Sequence, residues 1–120
     1  MTKKAAGETP DEPIKPKTVF SATGRTPEGL KWGELVVEDT TWRLRQTTVD
    51  EGDEAWDAAY DESSKKFNGR LNSRMNLAAS IIEPPTSVDD MGSWSGVKYL
   101  ALQRAYDELN TLPEADTEGN

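Results

Sequence analysis

The chain has 120 residues, a net charge of -8, and neither histidine nor cysteine. Those absences remove the commonest general base, the commonest metal ligand, every disulfide, every thiolate zinc site and any cysteine nucleophile. The length has room for one domain, and 34% hydrophobic against 30% charged residues predicts that part of the chain stays unfolded.

Residues 1–28 are expected to be a disordered, proline-rich arm. Pro10, Pro13 and Pro16 recur every third residue among Lys, Glu and Thr. Ile14, Val19 and Phe20 offer too little burial to offset the entropy of ordering such a segment. The alternative is a tail that docks a partner through Val19 and Phe20. No apolar leader and no membrane-length run is present, so the expected compartment is cytoplasmic and no membrane partner is expected.

From Leu30 to Val49 lies the only strand-like region. Leu35-Val36-Val37 forms one run, Glu38-Asp39-Thr40 can turn, and Thr41 to Thr48 forms the next. In that second run Trp42, Leu44, Gln46 and Thr48 alternate with Arg43, Arg45 and Thr47, the period of a half-buried strand. The turn lacks an Asn-Gly or Asp-Gly pair.

Asp50 to Lys66 reads as an acidic helix. Thr48 and Glu51 have capping-box spacing, the carboxylates gather at the N-terminal end, and Lys65-Lys66 close the other. Trp56, Tyr60 and Phe67 fall at spacings of four and seven, an aromatic stripe on a solvated helix. The next helix is expected over Arg70–Ile82. Leu71, Met75, Ala78 and Ile82 form its apolar face, widened by Leu77 and Ile81, and it should be the most buried helix. Pro84-Pro85 stops it. Ser87 to Met91 forms a single capped turn, and Ser95 caps a last helix running from Gly96 to about Leu109. Val97, Leu100, Ala101, Ala105 and Leu109 make its apolar side, broadened by Tyr99, Leu102 and Tyr106. Residues 113–120 are expected to be a disordered acidic tail.

The expected fold class is therefore mainly α with a small β-hairpin, an α+β chain of about three helices plus a short helical turn. One domain over residues 29–112 holds it, and most of its core should come from Arg70–Leu112.

Charge is uneven along the chain. Residues 33–66 carry -6 and 85–120 carry -5, against +2 for 1–32 and +1 for 67–84. An acidic chain with no basic patch is a poor match for a phosphate backbone, so nucleic acid is not an expected partner. The acids from Asp50 to Glu62 fail the calcium-loop pattern, because Gly52 stands at the third position and Ala55 at the sixth. Ser63, Ser64, Ser93 and Ser95 have no histidine beside which to act, and no glycine pattern forms a phosphate loop. No catalytic residue, metal site or cofactor is expected, and the chain is not read as an enzyme. Four tryptophans (Trp32, Trp42, Trp56, Trp94) are many for so small a core. Trp94 is expected inside. Trp42 and Trp56 are candidates either for the core or for an interface, where Trp and Tyr are enriched. The candidate protein-binding residues are Trp42, Arg43, Arg45, Trp56 and Tyr60, the two arginines facing acids of another copy if the chain forms a homo-oligomer.

From Trp42 to Leu112 the chain resembles the small tail assembly chaperones of long-tailed bacteriophages. The likeness is an order of features: the strand Trp42-Arg43-Leu44-Arg45, an acidic helix, a helix ending in Ile81-Ile82-Glu83-Pro84, the acidic turn Ser87-Val88-Asp89-Asp90, and a last helix carrying Tyr99 and ending in Glu108-Leu109-Asn110. The resemblance implies a short-form chaperone of siphovirus tails that coats the tape-measure protein and helps recruit tail-tube subunits. It would work in the host cell cytoplasm and be absent from the virion. It implies no shared ligand residues. The alternatives are a phage structural protein, either a minor tail or a head–tail connector subunit, that remains in the virion, and a host-directed inhibitor whose acidic face mimics nucleic acid.

Overall fold

The computed structural model describes residues 18–111; the expected arm over 1–17 and tail over 113–120 lie outside them. Strands β1 (Ala22–Arg25), β2 (Lys31–Val37) and β3 (Thr40–Arg45) lead into helix α1 (Val49–Ala59). A small pair, β4 (Tyr60–Asp61) and β5 (Lys66–Phe67), precedes helix α2 (Gly69–Ser80). Strand β6 (Ile81–Glu83), the turn α3 (Val88–Met91) and helix α4 (Gly96–Asn110) complete the order. The described residues are about 45% helix and 26% strand, built around a four-stranded antiparallel sheet of order β1-β2-β3-β6. The expectation of a mainly α chain with a small hairpin is thereby corrected to α+β with a substantial sheet.

Beyond the small β4–β5 pair, two added strands turn the expected hairpin into this sheet. The first lies at residues 18–28, which were expected to belong to the arm. Phe20 is buried and its ring lies over Gly33, where a Cβ would come within 2.4 Å of it. That missing Cβ lets the segment descend onto the sheet, and Ala22–Arg25 then pairs with β2 in antiparallel register. Thr18 and Val19 donate hydrogen bonds to the Glu108 carboxylate on α4, which ties down the start of the segment.

The second strand replaces the expected last turn of α2. That helix ends at Ser80 and not at Ile82. Ser80 is buried, and its hydroxyl donates to the Arg45 carbonyl at 2.6 Å. Ile81 and Ile82 are β-branched, and Glu83 precedes a proline, so all three favour extended backbone. They pair with β3, Ile81 opposite Leu44 and Glu83 opposite Arg43.

Between β2 and β3, Val37 pairs with Thr40 across a two-residue loop in which Glu38 and Asp39 both have positive φ, 53° and 65°. That is the backbone of a hairpin turn usually made by Asn-Gly. The Glu38 carboxylate accepts the Ser95 hydroxyl at 2.9 Å, a tertiary tie from the turn to the start of α4.

The core lies between the sheet and α4, with α2 alongside. Leu35, Val37, Trp42 and Leu44 face it from the sheet, Leu77 and Ile81 from α2 and β6, and Leu102, Ala105 and Leu109 from α4. Six of the eleven buried residues of that cluster, and all five partly buried ones packed against it, come from Arg70–Leu112, as expected, while Phe20 and the sheet supply the other five. The buried face of α4 differs from the expected one, because Val97 and Leu100 are 77% and 51% exposed. Ile82, expected on the apolar face of α2, is 40% exposed. Helix α4 buries Leu102, Ala105 and Leu109 but exposes six of its fifteen residues, whereas α2, expected to be the most buried helix, buries Leu77 and Ser80 and exposes only Gly69 and Arg70.

Candidate protein-binding face

Helix α1 starts where its cap dictates. The Thr48 hydroxyl accepts the Glu51 N–H at 3.2 Å, and the Glu51 carboxylate accepts the Thr48 N–H at 2.9 Å. The same carboxylate receives both terminal nitrogens of Arg45, at 2.9 and 2.7 Å. This bidentate, charge-assisted pair holds the Glu51 pKa down at about 2 and raises that of Arg45, the direct hydrogen bond being the largest cause in each case. It also joins the first turn of α1 to the end of β3. The helix direction is set there.

Ala55 and Ala59 are the buried side of α1, which packs on α2. With 100° between successive residues, Trp56, Val49 and Tyr60 fall on one stripe beside that buried side. Asp53, Asp57 and Asp50 follow as the helix turns outwards. Val49 is 80% exposed and Trp56 is 54% exposed. Among the described residues the salt bridges are those of Arg43 and Arg45, and none involves Asp50, Asp53, Glu54 or Asp57.

The helix stops at Ala59, not near Lys66 as the acidic run suggested. The Asp61 carboxylate accepts the Ser63 N–H and the hydroxyls of Ser63 and Ser64, and Lys65 takes positive φ. These bonds, led by that from Ser64, lower the Asp61 pKa. They close a hairpin in which Tyr60 pairs with Phe67. Phe67 thus reaches Trp56 by a reversal of the chain, not by helical spacing. The rings lie 4.3 Å apart between centroids, tilted by 33°. Beside Phe67 an open hollow of about 640 Å³ is lined by Ala59, Asp61, Lys66 and Arg70 among others.

The five residues singled out from the sequence do not form one surface. Trp42 is 3% exposed on the inner sheet face, edge-on to Trp94 at 5.5 Å. The Lys98 ammonium lies over both rings, 5.0 Å from Trp42 and 4.7 Å from Trp94. Arg43 lies on the outer face, over the Trp32 ring at 4.8 Å, with Glu34 at 3.1 Å and Glu83 at 3.9 Å. Arg45 is taken by Glu51. Only Trp56 and Tyr60 share a face, to which the structure adds Phe67 and Val49. Val49 was overlooked in the sequence, although it stands seven residues before Trp56, the spacing that relates Tyr60 to Phe67.

Elsewhere, a cleft of about 510 Å³ is bounded by Glu38, Pro84, Pro85, Trp94 and Lys98. Among the described residues no group of three His, Cys, Asp or Glu side chains is placed to hold a metal ion, and no helix is long and apolar enough to cross a membrane. Comparison with family models, curated proteins and solved structures finds no match.

Proposed function

We propose that this chain is a protein-binding module that acts as a tail assembly chaperone of a long-tailed phage. In this reading it binds the tape-measure protein and helps recruit tail-tube subunits in the host cytoplasm, without remaining in the particle. The observation that supports it best is the Trp56–Phe67 pair. Two large aromatic rings stacked on each other and about half exposed are an unusual use of apolar surface in a chain this acidic. The order of strand, acidic helix and Ile-Ile-Glu-Pro segment supplies the family likeness. The high negative charge suits many copies working side by side without aggregating.

Co-expression with the tape-measure protein that this reading requires as partner tests it. The expected outcome is a rise in the soluble fraction of that protein and its co-purification with this chain. No gain in solubility contradicts the reading. Mass spectrometry of purified particles gives a second check, because this chain at stoichiometric copy number there contradicts a transient role.

A further inference from the structure

The Val49–Trp56–Tyr60 stripe, with Phe67 against it, has a shape and a charged border that together specify an occupant. We infer that it takes an amphipathic helix whose apolar face is flanked by lysine or arginine. This rests on the reading of the chain as a protein-binding module and names the class of segment bound.

The geometry argues for a helix. From Val49 to Tyr60 the stripe runs about 16 Å along α1, at 1.5 Å per residue. An extended segment lying there would need backbone partners. The edges of the four-stranded sheet are β1 and β6, and Tyr60 and Phe67 belong to a separate pair whose strands have two residues each. A helix satisfies its own backbone and presents side chains at spacings of three and four to a ridge such as this one.

On the α1 side the border argues for basic charge, Lys66 and Arg70 lying on the other side, along the hollow beside Phe67. Asp53 and Asp57 come next around α1 from the stripe, with Asp50 and Glu54 beyond, and no described cation pairs with any of them. An apolar helix face set on Trp56 carries its flanking side chains past those carboxylates. Lysine or arginine is attracted there and glutamate is repelled. A second copy of this chain fits less well. The exposed face of its longest helix, α4, offers Val97 and Leu100 with Arg104 and Asp107, one cation offset by one anion.

Three labelled peptides of about 20 residues, long enough to be helical, test this by fluorescence anisotropy. One carries a leucine stripe flanked by lysine, one the same stripe flanked by glutamate, and one the lysine composition scrambled so that no apolar stripe forms. The lysine-flanked helix is expected to bind at least about tenfold more tightly than either of the others, and to weaken as salt rises. Trp56→Ala should abolish that binding. The double variant Asp53→Asn, Asp57→Asn should shrink the preference for lysine over glutamate. Equal binding of the lysine- and glutamate-flanked peptides overturns the inference. So does equal binding of the scrambled peptide, which makes charge alone the cause. So does unchanged binding by Trp56→Ala. Sedimentation showing a homodimer that Trp56→Ala dissociates also overturns it, by making a second copy the occupant. The peptides do not involve the proposed tape-measure partner. Failure here with successful co-expression removes only this inference, whereas peptide binding without any solubility gain removes the chaperone reading.

Discussion

Trp42 and Trp56 are fourteen residues apart and both are candidates from the sequence for either core or interface, yet they do opposite things. Trp42 stands on a strand whose alternation turns it inwards, where Trp94 meets it edge-on and the Lys98 ammonium lies over both rings. Trp56 stands just outside the α1–α2 contact, held by Phe67 alone among the aromatics, and more than half of it stays in water. The charged groups follow the same division. On the sheet side, Arg43 and Arg45 are engaged by Glu34, Glu83 and Glu51. On the outward side of α1, the carboxylates are left without a described cation. One region is closed by internal contacts, and the other presents aromatic rings and charge outwards. Missing partners alone do not mark a binding face, because the Trp42 indole N–H and the Arg43 Nε also lack hydrogen-bond partners but are buried; what sets the Trp56 face apart is that its rings and charges meet solvent.

Truncating each region should separate the two roles. Trp42→Ala removes a ring that is only 3% exposed and should cost about 3–5 kcal/mol, enough to threaten folding, as read by urea denaturation. Next in size is Glu51→Gln, which keeps the cap geometry but removes the charge opposite Arg45. It should cost about 1.5 kcal/mol at neutral pH for a bidentate pair whose side chains are 24% and 26% exposed. Because Glu51 is held at about 2, below the ordinary carboxylate range, its stabilisation is complete above the unfolded value of about 4.3. It fades as pH falls from there through about 2. The gap between wild type and Glu51→Gln should therefore close in that window, and a constant gap down to pH 2 contradicts the assignment. Trp56→Ala should cost about 1 kcal/mol or less in stability, since only one stacked contact and partial burial are lost. Val97→Asp, on the open side of α4, should change neither stability, within about 0.5 kcal/mol, nor partner binding.

What could be read from the sequence was local. Thr48 with Glu51 and Ser87 with Asp90 form capping boxes, and Ser95 caps α4, because a short polar side chain and an N–H three residues on are neighbours in sequence. The alternation of Trp42 and Leu44 with Arg43 and Arg45 likewise marks a strand without reference to anything else. The missed features depend on contacts across the chain. Ala22–Arg25 is a strand because Phe20 finds the bare backbone of Gly33. Ile81–Glu83 is a strand because β3 presents an unpaired edge beside it, although its aliphatic spacing also fits the end of a helix. The turn expected at Glu38-Asp39-Thr40 is present, but its positive-φ backbone and its tie to Ser95 on α4 are not advertised by the residue types. At the candidate site, the Trp56–Tyr60 spacing was legible. The route by which Phe67 arrives was not, because the Asp61–Ser63–Ser64 bonds that reverse the chain interrupt what looks like one acidic helix.

The most direct test of a closed Trp42 region and an open Trp56 region is the double variant Trp56→Ala, Phe67→Ala co-expressed with the proposed tape-measure partner. The variant should fold with a melting temperature within a few degrees of wild type and no longer keep that protein soluble. A folded double variant that solubilises it as well as wild type does would show that the exposed aromatic face is not where this protein binds.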